Sequence, residues 1–298
     1  NYITFNSTAG AYTLNATTGA AGLAGGTALT VKGDILNNSS NAQTIAMNLA
    51  FGSSSTGGVD TAAGNITISG NISGTGALNK AGNSTLTLTG VNTYSGVTTI
   101  NAGTLQVGNA TTGSIASTSV VNNANLLYGT TVASGTFGLA NSTTGTGNLT
   151  ATGKLLKLNG NITQSGNVSL TGSTATGLYA SGIELVNDTT ITAGNITLTG
   201  DLGYRGAQAG NLSLNTSATN GAITINASVG RSSVWYGLSS FTANAGTGNL
   251  TVSGANLASN WAVNAATLTG ALNISSGFTS GGPLNLNATG NSTIAGNL

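Results

Sequence analysis

Residues 85–107 read TLTLTGVNTYSGVTTINAGTLQV, and small apolar residues alternate there with Thr between single Gly and Asn residues. Alternation with a period of two places successive side chains on opposite faces of a β-strand. Gly and Asn both tolerate the left-handed backbone conformation that sharp turns need. Both also interrupt the pattern too often for a helix of useful length. The stretch therefore predicts short strands joined by tight turns.

Similar units recur along the chain. Each begins with Gly, continues as an alternating apolar and polar run, and ends at Gly or Asn. Examples are GNITISG at 64–70, GNVSLTG at 166–172, GNITLTG at 194–200 and GNLTVSG at 248–254. Their spacing is irregular, but the period of two is kept in each unit. The chain is predicted to be nearly all β.

Strands this short bury little surface alone, so they must stack on copies of themselves. Aromatic residues make up 5% of the chain, fewer than a sandwich or barrel core would require, and Pro occurs once. A parallel β-helix (β-solenoid) places Ile, Leu, Val and Ala inside, Thr and Ser outside, and Gly with stacked Asn at the corners. We predict one continuous solenoid over residues 1–298, with irregular coils at 1–63, a distinct repeat at 64–110 and further coils at 111–298.

Composition excludes several function classes. A net charge of +1 provides no basic stripe for nucleic acid. No apolar run approaches the roughly 18 residues of a membrane-spanning helix. Hydrophobic residues reach 39%, which argues against disorder. The chain shows no signal peptide, so we expect a mature or excised segment. Its carboxy-terminal GNSTIAGNL stops in mid-pattern without a cap, so we also expect either a segment of a longer chain or the subunit of a filament.

Residues 76–109, GALNKAGNSTLTLTGVNTYSGVTTINAGTLQVGN, closely resemble the autotransporter-associated β-strand repeat of bacterial secreted passenger domains. The matching positions are Leu78-x-Lys80-x-Gly82, Leu86-x-Leu88-x-Gly90, Asn92-Thr93-Tyr94-x-Gly96, Thr99-Ile100, Gly103-x-Leu105 and Val107-Gly108. The later Gly-Asn-Leu units are similar, more loosely, to repeats of filamentous-haemagglutinin-type secreted adhesins.

Both families are right-handed parallel β-helices that cross an outer membrane unfolded and form rods on the cell surface. The resemblance therefore implies an extracellular structural or adhesive protein of the bacterial surface, not an enzyme. Rods of this kind are expected to self-associate end to end or laterally. Their repeated Thr, Ser and Asn side chains would offer weak multivalent contacts to glycans or cell surfaces.

A glycan-acting β-helical enzyme is the first alternative. The absence of His and Cys excludes the commonest catalytic triads and zinc sites. Glu184, Asp188, Asp201 and Arg205 form the one local concentration of charge, and equal separations (184 to 201, 188 to 205) predict that they lie on adjacent coils. Two carboxylates there suit glycoside hydrolysis, whereas Asp188 over Arg205 would be a plain ion pair, which is the favoured interpretation. We predict no catalytic, metal or cofactor site.

The aromatic residues Trp235, Tyr236 and Trp261 lie about one coil apart in a region of small residues. If they are exposed, they provide a platform for sugar rings or a partner. If they are buried, they fill or cap the core, and this interpretation is favoured.

Recurrent Thr-x-Thr, as at Thr197 and Thr199, raises the further alternative of an ice-binding solenoid. Thr is also simply a good residue for the solvent-facing side of a strand. Because the coil lengths vary, we expect no flat and regular grid of Thr side chains.

Overall fold

The computed structural model describes residues 2–16, 28–53, 57–109, 113–130, 135–139, 142–173, 182–204, 210–229, 238–253, 266–274 and 283–294. These residues form 32 β-strands and contain no helix. A helix suited to crossing a membrane is accordingly not found among them. The strand pairings are parallel, as in Leu86 opposite Leu105 and Ile196 opposite Ile223. The prediction of an all-β chain built as a parallel β-solenoid is confirmed.

The chain divides into two compact units, the first formed by residues 1–130 and 140–148 and the second by residues 131–139 and 149–298. The strands of the first unit are β1 Ile3–Phe5, β2 Thr13–Leu14, β3 Leu29–Val31, β4 Ile35–Asn37, β5 Gln43–Ile45, β6 Leu49–Phe51, β7 Gly58–Asp60, β8 Ile66–Ile68, β9 Ile72–Gly74, β10 Leu78–Ala81, β11 Thr85–Leu88, β12 Val91–Asn92, β13 Thr98–Ile100, β14 Thr104–Val107, β15 Ser114–Ile115, β16 Val120–Asn122 and β17 Asn125–Tyr128. The strand β19 Ser142–Gly145 also belongs to it.

The strands of the first unit form three columns, one for each face of a coil. The first column stacks β1, β4, β7, β10, β13, β16 and β19. The second stacks β2, β5, β8, β11, β14 and β17. The third contains β3, β6 and β9, followed by the pair β12 and β15. Three successive strands therefore complete one coil.

Apolar side chains at every second strand position form the core of the first unit. One continuous row runs through the second column as Ile45, Ile68, Leu88, Val107 and Tyr128, each opposite the next. All five are at most 1% exposed. Full burial of an aliphatic side chain of this size contributes about 1.5–3 kcal/mol, so rows of stacked apolar residues are the main stabilising element of each coil.

The second unit begins with β18 Thr136–Leu139. It continues with β20 Asn148–Gly153, β21 Leu155–Leu158, β22 Asn161–Gln164, β23 Asn167–Gly172, β24 Gly182–Leu185, β25 Thr189–Thr192, β26 Asn195–Tyr204, β27 Asn211–Asn215, β28 Ile223–Val229, β29 Ser240–Ser253, β30 Ala266–Ile274, β31 Leu284–Ala288 and β32 Thr293–Ile294. Its long strands pass around a corner of the coil. The first part of β26 pairs with β23 and its last part with β24.

Coil length varies while the register of the strands is kept. Leu78 lies opposite Thr98, 20 residues later, whereas Asn167 lies opposite Asn195, 28 residues later. Because a shift of one residue would turn every apolar side chain away from the core, the register is strongly specified. The extra residues therefore lie outside the paired strand positions.

Asn side chains stack at the corners as the sequence predicts. The amide Nδ2 of Asn195 donates to Oδ1 of Asn167 on the preceding coil at 2.8 Å, and Oδ1 of Asn195 accepts from the backbone N–H of Ala222 at 2.7 Å. Each such Asn satisfies backbone and side-chain groups of its neighbours at a point where the strand ladder is interrupted.

Candidate functional site: buried corners, charged face and hydroxyl face

Lys80 lies inside the solenoid although Lys is almost never fully buried without partners. In β10 it is opposite Val59 of the preceding coil and Ile100 of the following one, and it is 0% exposed. Its ammonium donates to the carbonyls of Ala81 at 2.6 Å, Gly82 at 2.7 Å and Ala102 at 3.0 Å. The three N–H donors of the ammonium thus close the corner of its own coil and bind the next coil.

Burial lowers the pKa of Lys80 to about 8, because removal from water disfavours the charged form. The negative charge of Asp60 acts in the opposite direction. Asp60 belongs to β7, the strand that pairs with β10, and lies opposite Ala81. Lys80 is therefore a structural cation whose charge is held by carbonyl oxygens and one nearby carboxylate.

Asn92 connects three coils at another corner. Its Oδ1 accepts from the backbone N–H of Ile72 on the preceding coil at 2.9 Å. Its Nδ2 donates to the carbonyl of Gly90 at 3.0 Å and to that of Ser114 on the following coil at 2.8 Å. The side chain is 1% exposed, so these are buried bonds whose loss would leave unpaired polar groups.

Tyr94 fills the remaining corner. Its hydroxyl is 2.7 Å from Oγ1 of Thr98, and its ring lies 6.3 Å from that of Phe51 between centroids, at an interplanar angle of 50°. Both Tyr94 and Thr98 are 0% exposed. Burial raises the pKa of Tyr94, so the neutral phenol is its form in the folded protein.

Gly103 shows why the sequence needs glycine at a corner. Its φ is +66°, and an added Cβ would lie 2.5 Å from the carbonyl oxygens of both Gly82 and Ser84 on the preceding coil. Only a residue without a side chain permits this conformation and this approach of two backbones. The residues that define the sequence repeat are therefore the groups that close and stack its coil.

The charged face of the second unit is the segment of β21 and β24 that carries Lys157 and Glu184. Glu184 lies opposite Lys157 of the preceding coil, with 3.7 Å between Nζ of Lys157 and Oε2 of Glu184. It also lies opposite Gly203 of the following coil. Asp201 precedes Gly203 by two residues in β26, so the two carboxylates are on adjacent strands but not opposite each other. Both residues are buried, at 7% and 3% exposure. The prediction of adjacent coils is confirmed for Glu184 and Asp201, which are offset by two residues in register.

Asp188 does not join Glu184. It is exposed, and its two carboxylate oxygens accept from the backbone N–H and the side-chain Nδ2 of Asn211, both at 2.9 Å. Arg205 lies outside the described residues, so its proposed ion pair with Asp188 stays a prediction. A glycosidase needs one carboxyl as acid and another as base or nucleophile, whereas Glu184 is paired with Lys157 and Asp188 with an amide.

The predicted aromatic platform falls on residues that the structure does not describe, namely Trp235, Tyr236 and Trp261. Whether these three residues bind sugars or pack in the core therefore stays a prediction. Within the described ranges, no group of three or more His, Cys, Asp or Glu side chains is arranged to hold a metal ion.

One face of the second unit carries a regular array that the sequence analysis did not expect. The outward residues of β20, β23, β26, β28 and β29 lie opposite one another in two parallel files. We call this array the hydroxyl face, and its residues are Thr150, Ser169, Thr197, Thr224 and Thr251 in the first file, and Thr152, Thr171, Thr199, Asn226 and Ser253 in the second.

Variable coil length does not disturb the register of these two files, although Ser and Asn interrupt the Thr residues in them. The separation between matched residues changes from 19 for Thr150 and Ser169 to 28 for Ser169 and Thr197, yet neither file slips. The difference falls on residues outside the paired positions. The recurrent Thr-x-Thr and Thr-x-Ser motifs indicate this array in the sequence. The sequence does not show which of these residues lie opposite one another on successive coils.

The coil around Lys80 is the part of the chain that matches a known family. No curated protein and no solved structure matches the chain. Residues 78–107, which begin at β10 and end at β14, match the family described as "Passenger-associated-transport-repeat", a repeat of autotransporter passengers, and the resemblance read from Lys80, Asn92, Tyr94 and their neighbouring glycines is thereby confirmed for this segment.

Proposed function

We propose that this chain is part of an exported autotransporter passenger and acts at the bacterial cell surface as a structural or adhesive rod. One observation carries the proposal. The matched repeat is a complete stacking unit, whose Lys80 and Asn92 bond to carbonyls of the next coil and whose Asn92 also bonds to the coil before it.

A stacking unit of this kind suits a chain that crosses a membrane unfolded. Each coil contacts only its neighbours, so coils add one at a time to those already formed. Every added coil buries a row of apolar side chains, as Leu86 does between Ile66 and Leu105, and this opposes backward movement of the chain. The sequence has no Cys, so cross-links cannot form before transport.

The export proposal is tested by fusing residues 1–298 to the outer-membrane transport domain of an autotransporter in a Gram-negative bacterium. Protease added to intact cells should digest the chain, because it has reached the surface. Lys80→Met combined with Asn92→Leu should reduce surface exposure, whereas Lys32→Met, at an exposed position of the same unit, should not. A wild-type chain that stays protected inside the cell, or a corner variant exported like wild type, would contradict the proposal.

We further propose that this surface rod associates with copies of itself, end to end or laterally, and binds glycans weakly. With 4% charged residues, little electrostatic repulsion keeps neighbouring rods apart. Electron micrographs of the purified chain should show rods or fibres, and light scattering should show mass rising with concentration. Isolated monomers at high concentration would exclude self-association, and no retention on any immobilised surface polysaccharide would exclude the adhesive role.

A further inference from the structure

The hydroxyl face of the second unit has a composition and an extent that an ordinary strand surface does not require. Its ten positions hold seven Thr, two Ser and one Asn, without a single charge. The nearby residues Lys157 and Glu184 lie on β21 and β24, in another column. Asp201 follows Thr199 by two residues on β26, but it is only 3% exposed. Uncharged polar side chains, nine of them hydroxyls, therefore cover five successive coils at two positions on each coil.

The hydroxyl groups of this face are available to an outside ligand. All ten residues are exposed or half-buried, while the residues between them, such as Leu198 and Ile225, are at most 1% exposed. Within the described part of the chain, none of the ten side chains makes a hydrogen bond to protein. By contrast, Asn215 and Asn244 on the neighbouring column turn their Oδ1 atoms to backbone N–H groups of Ser217 and Gly246.

The strand geometry sets the two repeat distances of the face. Adjacent coils are about 4.8 Å apart, and two residues along a strand advance by about 6.6 Å. No bulge interrupts the pairings that carry the face, so both distances repeat from Thr150 to Ser253. The array is thus periodic in two directions, whereas a single extended polymer chain would require only one file.

Water in ice has closely similar repeat distances. Tetrahedral hydrogen bonds of about 2.75 Å place second-neighbour oxygen atoms about 4.5 Å apart, and the repeat across two puckered layers is about 7.3 Å. The coil spacing exceeds the first distance by about 0.3 Å, which accumulates over five coils to about 1.2 Å, less than half of one hydrogen bond. Across the two files the difference is about 0.7 Å.

We propose that the hydroxyl face binds ice. Each hydroxyl replaces or holds a lattice water, and each Thr methyl covers a hollow between waters. A single such bond contributes only about 0.5–1.5 kcal/mol, so dissolved water is not held, but a lattice meets all ten positions together. Charged groups would orient water radially and disrupt the lattice, which is why an uncharged face is suitable. This proposal does not depend on the export proposal.

Two other occupants fit the face less well. A polysaccharide chain would lie along one file and leave the register of the second without a function. A second copy would bring hydroxyl against hydroxyl with little apolar surface to bury, although apolar burial drives most protein association. Both occupants give distinct results in the following experiment.

The test compares three proteins that span residues 1–298. The face variant is Thr197→Lys with Thr224→Lys, at two central positions opposite each other. The control is Thr242→Lys with Thr267→Lys, an equivalent pair on the neighbouring column. Circular dichroism and urea midpoints establish that all three are folded. Each is then partitioned into a slowly growing ice hemisphere, and the freezing hysteresis of its solution is measured.

Wild type and control should be enriched in the ice, and the face variant should fall by about tenfold, as expected for losing two hydrogen-bonded positions. Exclusion of wild type from ice would overturn the proposal, and so would equal loss in both variants. Wild type excluded from ice but retained on crystalline cellulose, with retention lost in the face variant, would assign the face to a glycan. A dimer abolished only in the face variant, again without ice binding, would assign it to a second copy.

Discussion

Replacement of Lys80 by Met separates the charge of the buried corner from its packing. Met keeps most of the unbranched side chain but removes the ammonium that donates to the carbonyls of Ala81, Gly82 and Ala102. Hydrogen bonds to charged groups contribute about 1.5–3 kcal/mol each. Removing the charge also removes the cost of its burial, so we expect a net destabilisation of about 2–5 kcal/mol at pH 7.

The pH dependence of that loss gives a sharper prediction. The pKa of Lys80 falls from 10.5 in the unfolded chain to about 8 in the folded protein. Between these values the unfolded state binds more protons, so the free energy of unfolding rises with pH. A shift of this size corresponds to about 3 kcal/mol. The stability of wild type should therefore gain up to about 3 kcal/mol over Lys80→Met between pH 7 and pH 11.

Urea unfolding of both proteins, followed by circular dichroism at intervals from pH 7 to pH 11, measures this difference. Tyr94, whose pKa is raised by burial, lowers stability above pH 10 in both proteins, so its effect cancels in the comparison. Lys32→Met, at an exposed position, is the control and should track wild type. A difference that stays constant with pH would refute a lowered pKa of Lys80, and a narrowing difference would show that the carbonyl cage raises it.

Two further substitutions test the corners against matched positions. Asn92→Ala leaves the buried N–H of Ile72 without its partner and removes the bonds to the carbonyls of Gly90 and Ser114, so it should cost about 3 kcal/mol in urea unfolding. Asn71→Ala, which removes an exposed bond, should cost at most about 1.5 kcal/mol; equal losses would show that burial of the bond is irrelevant. Gly103→Ala should lower the thermal midpoint by several degrees, because the Cβ meets two carbonyl oxygens, and Gly10→Ala, with nothing within 4 Å, should leave it unchanged; a tolerated Gly103→Ala would mean that neighbouring coils move apart freely.

The fold class and the coil that matches the transport repeat can both be predicted from the residue pattern. Alternation at Leu86 and Leu88 sets which side chains are buried, and this local pattern is independent of what lies on the next coil. Gly103 and Asn92 are recognisable because only a few residue types satisfy tight corners. For the same reason the repeat could be identified from its spacing alone.

The structure alone decided which residues lie opposite one another across turns of different length. Glu184 meets Lys157 and Gly203 instead of Asp201, because register follows the apolar residues that must face the core and not the number of residues between acids. The ten residues of the hydroxyl face align for the same reason. Sequence separation counts the residues between two strands, whereas contact across coils is set by how the core stacks. Which residues face each other across coils is therefore known only from the folded protein.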